Sequence, residues 1–377
     1  MTGVEIVGTG VHPFGRHGDR SATEMGAIAV RAALDEVGPG TTFQAAFCGT
    51  AYGGVASGHR VLGELGLTGG PIIDVEAGCA SGAAALSLGA AAIRSGQYDT
   101  VLVFGIEKMP KGIIRSSFFE PWREEAGLAA TPAYFALRAQ RLMRESGVTK
   151  DHLARVVVKN RRNGVDNEHA MFRKETTAEE VLASRVVCEP LHLHMLCSPN
   201  EGAAAVVLRR GDLAASDDVT LAAAVLRSHL PGSVLGEATP LSGIDDDAIT
   251  PPSALAAAVA YEEAGTAASD LDLVECQDTD AARELLAYEE LGLCAKGDAA
   301  ALVEDGSTEL GGRLPVNVSG GLLSKGEPLG ASALGQVVEL TAQLRGEAGP
   351  RQVDGARIGL AHTVGRGANA SVTILQR

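Results

Sequence analysis

A chain of 377 residues is long enough for two or three ordinary domains around a large buried core. Hydrophobic residues make up 45% of it and aromatics only 4%, with 47 glycines, a mixture suited to close-packed helices and sheets of Ala, Val, Leu and Gly. A net charge of −15 argues against nucleic acid or an anionic membrane as the main partner, and no apolar run approaches the roughly 18 residues of a membrane span.

In chain order, MTGVEIVGTG lacks the charged and apolar segments of a signal peptide and opens directly on a strand, VEIVGTG, so the expected compartment is the cytoplasm. SATEMGAIAVRAALDEVG predicts an amphipathic helix with Ser21 as N-cap and Gly38 closing it. FQAAFCGTA and PIIDV predict short apolar strands. The second runs through the turn EAGCASG into a helix from about Ala83 to Ser95, then into the strand TVLVFGIEKM. In the second half the order returns: SALAAAVAYEEAG as a helix, LDLVECQDTD as a strand, LPVNVSGG as a strand entering a glycine-rich turn, GASALGQVVELTAQLRG as a helix and ARIGLAHTVGRG as a strand. Such alternation predicts an α/β fold, and its recurrence predicts two duplicated α/β domains rather than a solenoid. The expected boundaries are 1–117 plus 199–220 for the first domain, 118–198 for an inserted segment and 221–377 for the second.

Cys79 sits among small residues at a strand-to-helix junction. Two readings fit: a small core residue in a tight turn, or a thiolate at the positive end of a buried helix, where free N–H groups and the dipole lower a thiol pKa. The six cysteines form no C-x-x-C pair, so neither a disulfide framework nor a zinc site is expected, and Cys48, Cys188 and Cys294 read as small buried hydrophobes. His192 and His194 are spaced like a metal pair, but no third ligand follows nearby, so no metal is expected. The inserted segment is basic in an acidic chain, with Arg138, Arg141, Arg161 and Arg162 among its cations. They are either solvated helix faces or a cationic lid for a phosphorylated small molecule.

Together EAGCASGAAAL, GIEKM, LCSPNEGAAAVVL, ELLAYEELGLC, VNVSGGLLSKGEPLGASALGQ and AHTVGRGANASVTIL resemble the thiolases, in family order over nearly the whole chain. Within that superfamily the SCP2-type thiolases and the lipid-transfer-protein enzymes are the most similar branch. The resemblance implies a thiolase fold of five layers, α-β-α-β-α, with an inserted loop domain over the coenzyme A site, and a homodimer or a dimer of dimers. It implies a coenzyme A thioester as substrate, no permanently bound cofactor, and Cys79 as the nucleophile that carries the acyl group. Arg138, Arg141, Arg161 and Arg162 in the insertion, with Ser319 and Gly320 in the second glycine loop, become the candidate coenzyme A contacts.

The resemblance breaks at the other catalytic motifs. Thiolases carry a Gly-His-Pro whose histidine takes the cysteine's proton; here KGEPLGAS puts Glu327 in that place. A carboxylate, with a reference pKa near ~4.3, is a poor base unless burial raises it, and its charge opposes ionisation of Cys79. Where the SCP2 branch has His-Asp-Cys-Phe, this chain has Gln277-Asp278-Thr279-Asp280. The proton-shuttling cysteine is absent, Thr279 stands in its place, and a second carboxylate is gained. The Gln277 amide is a candidate to hold a water or the thioester oxygen. His362 in AHTVGRG is the expected general acid–base, and backbone N–H groups at Cys79 and in the Thr363–Gly365 turn the expected oxyanion hole. Asn317 is expected to orient the glycine loop. The expected catalytic set is therefore Cys79, His362, Glu327, Asp278 and Asp280.

Three functions fit. The first is a thiolase-type C-acyltransferase that makes or cleaves a carbon–carbon bond through an acyl-Cys79 intermediate. The second is a retro-aldolase of the lipid-transfer-protein type, acting on a β-hydroxyacyl-CoA, steroid side chains among them, with a small partner carrying an OB fold and a zinc ribbon. In that version Glu327 or Asp280 removes the hydroxyl proton and Cys79 stands by. The third is a non-catalytic scaffold with a decayed site.

Overall fold

Local sequence fixes the first elements. Strand β1 (Val4–Gly15) leads into helix α1 (Ala22–Val37). Ser21 caps α1 as predicted, its Oγ accepting from Glu24 N at 3.1 Å while Ser21 N donates to Glu24 Oε2 at 2.7 Å. Gly38 closes the helix at φ 122°, its N–H donating to Leu34 O. Then follow β2 (Ala45–Gly49), α2 (Ser57–Glu64), β3 (Ile72–Val75), α3 (Ser81–Arg94) and β4 (Thr100–Lys108). The computed structural model describes residues 3–112, 125, 130–215, 219–230, 249–365 and 369–377, so the expected boundary at 117–118 lies outside the described residues.

The insertion contributes α4 (Thr131–Ser146), α5 (Lys150–Gly164), α6 (Ala178–Ala183) and the small hairpin β5 (Val186–Cys188) and β6 (Leu191–His192). The chain returns through β7 (Glu201–Arg210) and β8 (Val219–Ser228). The second half holds α7 (Pro252–Ala264), β9 (Leu273–Cys276), α8 (Ala281–Glu290), α9 (Ala299–Glu304), α10 (Gly321–Lys325), α11 (Leu329–Arg345), β10 (Ile358–Val364) and β11 (Asn369–Gln376).

Among the described residues nine strands join in the order β3-β2-β4-β7-β1-β8-β11-β10-β9. In the first half β3, β2 and β4 are mutually parallel, and β7 runs antiparallel to both β4 and β1. The second half repeats that pattern. Val316 bridges Val274 in parallel, β9 pairs with β10 in parallel, and β11 runs antiparallel to β10 and β8. Among the described residues the strands of the two halves pair at two register positions, Glu5↔Thr220 and Ile6↔Val219. Helices α1 and α2 cover one face, α3 and α11 pack together between the halves, and α7 covers the far face, which makes five layers.

Two strand expectations change. LPVNV contributes only the bridge at Val316, because Asn317 takes a left-handed φ of 56° and turns the chain away. PIIDV is a strand, but it forms the sheet edge and leaves Ile73 44% exposed.

The central layer depends on close backbone approach. Ala85, Leu86, Val103, Leu208, Leu334 and Leu340 form one buried cluster across both halves. Gly105 on β4 faces the start of α11, and a Cβ there would lie 2.0 Å from Gly330 O. We expect Gly105→Ala to lower the unfolding free energy in urea by about 1–3 kcal/mol. Gly63→Ala, with open space at its Cβ, should leave it within about 0.5 kcal/mol. Equal effects of the two substitutions would refute this packing.

Candidate active site

Cys79 lies on one 3₁₀ turn, Gly78–Ala80, between β3 and α3. Gly78 at φ 60° allows the turn. Ser81 Oγ locks it, donating to Gly78 O at 2.6 Å and accepting from Ala77 N at 2.9 Å. The sulfur-bearing residue is 9% exposed and stands just ahead of the α3 N-terminus, where the helix dipole favours negative charge. The end of β10 rests on this turn, since a Cβ at Gly365 would lie 2.0 Å from Ala77 O.

A second buried group joins the same corner. Glu107, fully buried at the end of β4, accepts from Ala51 N (2.9 Å), Tyr52 N (3.0 Å) and Gly330 N (3.1 Å). It thereby ties the loop after β2 to the first turn of α11. Burial raises its pKa while the three amides pull it down. Tyr52 in that loop feels Cys79: burial first, then the charge of Cys79, raises the phenol's pKa.

Glu327 sits between α10 and α11 and is 5% exposed. Its backbone is clamped to the irregular segment leading into β7, with Glu327 N donating to Ser198 O at 2.9 Å and Asn200 N donating to Glu327 O at 3.3 Å. Its carboxylate accepts from Gln277 Nε2 at 2.9 Å and from Cys197 Sγ at 3.4 Å. Gln277 Oε1 in turn accepts from Val364 N at 2.7 Å. One amide side chain therefore stitches Glu327 to the end of β10. The Cys197 thiol is pushed well above its ordinary value by burial and then by Glu327, with Asp278 and Cys79 adding to the shift. Cys79, Cys197, Glu327 and Gln277 thus share one corner.

Other expected residues lie elsewhere or do other work. Asp278 is fully buried and accepts from Leu322 N (2.6 Å), Leu323 N (3.1 Å) and Asn160 Nδ2 (2.8 Å). It anchors α10 to α5, and burial followed by the Glu284 charge holds its pKa well above the usual carboxylate range. Asp280 caps α8 through Ala282 N and Arg283 N and pairs with buried Arg138. The carboxylate expected as a base therefore builds the framework, and so does the arginine expected at a phosphate. His362 points to the outer face of the sheet, its Nε2 2.9 Å from Ser253 Oγ, fully buried. Burial and then Arg283 hold its pKa well below the imidazole range, so it stays neutral there. The period of two along β10 decides this, because Thr363 and not His362 faces α11.

The expected oxyanion donors Val364 N and Gly365 N are taken by Gln277 Oε1 and Asn369 O. Ser319 spends both its N–H and its Oγ on Glu275, and Gly320 at φ 94° packs on the backbone of Gly164. Arg141 pairs with Glu145 and Arg162 with Glu309. Arg161 differs: its guanidinium stacks 4.0 Å over Phe172, burial lowers its pKa to about 10, and among the described residues it has no carboxylate partner. Asn317 does orient the glycine loop, accepting from Cys276 N and donating to Glu284. His192 Nδ1 lies 2.8 Å from the carbonyl of Ser184.

Comparison with known proteins gives this corner its context. Residues 4–212 match the thiolase N-terminal domain and residues 240–377 the thiolase C-terminal domain-like family. The chain belongs to the thiolase family. It is 36% identical over 391 residues to an acetyl-CoA acetyltransferase of Methanothermobacter thermautotrophicus, covering 100% of both chains. It is 35% identical to sterol carrier protein 2 of Oryctolagus cuniculus, over 98% of this chain and 71% of that protein. The solved structure of an Ltp2-ChsH2(DUF35) aldolase superposes with a TM-score of 0.85 at 24% identity, covering 99% of this chain and 97% of that one. The fold is the thiolase fold. No helix among the described residues is long and apolar enough to cross a membrane.

The corner contains two polar residues that sequence reasoning passed over, Cys197 and Glu107. Cys197 lies in the irregular segment LCSPNEG, where no period marks it. Glu107 stands in the strand TVLVFGIEKM, where a carboxylate ending an apolar run was the available signal.

The buried imidazole makes a pH prediction. His362 has a folded pKa below its unfolded value, so its contribution to stability is present above about pH 6.5 and is lost as pH falls. His12, His169 and His194 are also lowered and add to the slope. The melting temperature should fall between about pH 6.5 and 5, and His362→Gln should make that fall shallower. An unchanged slope would remove His362 as a source.

Proposed function

We propose that the chain breaks, or in reverse makes, the carbon–carbon bond next to a coenzyme A thioester, with Glu327 as the proton acceptor and a β-hydroxyacyl-CoA as substrate. The observation that carries this reading is the seat of Glu327. A carboxylate stands where the thiolases that the sequence resembles have an imidazole, enclosed and gripped by the Gln277 amide and the Cys197 thiol. A carboxylate held in a fixed orientation can accept a hydroxyl proton as a general base. The same charge opposes a thiolate nearby: the Cys197 thiol, raised first by burial, is raised further by Glu327.

In the forward step Glu327 takes the β-hydroxyl proton, and the oxygen's electron pair forms the new carbonyl as the Cα–Cβ bond breaks. The bond's electrons pass to the thioester as an enolate, which gains a proton and leaves as a shorter acyl-CoA. Arg161, held on Phe172 in the insertion, is the residue proposed to meet a coenzyme A phosphate. The relative named acetyl-CoA acetyltransferase supports coenzyme A as carrier. The Ltp2-ChsH2(DUF35) aldolase supports both an aldol reaction and a small DUF35 partner. A second copy of this chain is a further proposed partner, for which the edge strand β3 and exposed Ile73 offer a surface.

A second reading, acyl transfer through Cys79, is favoured by one observation: the turn that sets this sulfur just ahead of the α3 N-terminus. Intact-mass spectrometry with short acyl-CoAs separates the two. We expect no acyl adduct, cleavage of a β-hydroxyacyl-CoA, and a slowing of at least about tenfold, ~1.4 kcal/mol in the barrier, in Glu327→Gln. An adduct of acyl mass that vanishes in Cys79→Ala would establish the covalent route instead.

A further inference from the structure

The proposed reaction leaves an enolate that needs a proton at its α-carbon, and the motif position expected to supply a thiol is occupied by Thr279. The fold brings a different thiol to that place. Leu196 forms an antiparallel bridge with Asp280, and Cys197 N donates to Thr279 O at 2.9 Å. Cys197 is therefore the residue hydrogen-bonded across from Thr279, on a neighbouring segment from another part of the chain. Its Sγ donates to Glu327 Oε2 at 3.4 Å, on the side of Glu327 opposite the oxygen held by Gln277. The arrangement has an acid and a base in direct contact.

We propose that Cys197 is a further catalytic residue, the acid that delivers the proton to the α-carbon. The inference rests on the proposed aldol reading and deepens it. The protons balance without any co-reactant. Glu327 receives the hydroxyl proton; the Cα–Cβ electron pair becomes the enolate; the Cys197 S–H gives its proton to the α-carbon. The resulting thiolate then takes the proton that Glu327 acquired, across the 3.4 Å contact, and both groups return to their starting state. A thiol that holds its proton firmly still gives it to a thioester enolate, which is a far stronger base. Burial and the adjacent carboxylate keep the thiol protonated between turnovers.

The test is exchange of the α-hydrogens of acetyl-CoA or propionyl-CoA in deuterium oxide, read by mass spectrometry, alongside cleavage of a β-hydroxyacyl-CoA. The full chain should exchange these hydrogens, and Cys197→Ser should lose exchange at least about 30-fold while coenzyme A affinity and melting temperature stay near wild type. A serine hydroxyl keeps the shape and the hydrogen bond to Glu327 but is too weak an acid, so this loss reports proton transfer rather than packing. Should serine disturb folding, Cys197→Ala carries the same comparison. Exchange within twofold of wild type in either folded variant overturns the role of Cys197 and leaves the aldol reading standing. A wild-type protein that neither exchanges nor cleaves overturns the reading beneath it.

Discussion

A single buried carboxylate sets the geometry on which the site depends. Glu107 receives backbone N–H groups from Ala51 and Tyr52 on one side and Gly330 on the other, so the loop beside Cys79 and the helix that follows Glu327 are fixed to the same two oxygens. Three amide donors offset the cost of burying that charge. The bare backbones of Gly105 and Gly330 make the approach possible, because a side chain at Gly105 would fill the space that the Gly330 carbonyl occupies. The nucleophile-like turn and the carboxylate loop come from different halves of the chain, and their meeting is a consequence of this central layer.

Electrostatics then decides what chemistry the corner favours. A carboxylate in contact with the Cys197 thiol is a poor setting for a thiolate, and on the proposed reading it serves instead as the base for a hydroxyl. Glu327 is held on both oxygens by groups that leave its orientation little freedom, the Gln277 amide and the Cys197 thiol. The remaining carboxylates have structural assignments. Asp278 fastens the helix that precedes Glu327, and Asp280 caps the helix after β9 while neutralising Arg138. These framework pairs are buried and satisfied by hydrogen bonds, as buried charges have to be.

Much of this was legible in the sequence, and the reasons are local. The Ser21 cap, the Gly38 stop and the alternation of strands and helices depend on neighbours a few residues away, and the fold follows from them together with the family motifs. Glu327 could be singled out for the proposed role because the motif around it is continuous. What escaped was decided at long range. His362 turned to the outer face because of the strand's period and the register with Cys276. Arg138 was drawn inward by a carboxylate 142 positions along the chain, and Cys197 was brought opposite Thr279 by a pairing between two irregular segments. A single sequence carries no signal for pairings of that kind.

The most direct measurement replaces the carboxylate by the imidazole that the family motif would have. Glu327→His should lose β-hydroxyacyl-CoA cleavage at least about tenfold. With the negative charge gone, it should also gain an acyl adduct on Cys79 when mixed with a short acyl-CoA, visible by intact mass. Cleavage undiminished in Glu327→His, with no adduct formed, would show that the reaction does not depend on a carboxylate at 327 and would contradict the central claim.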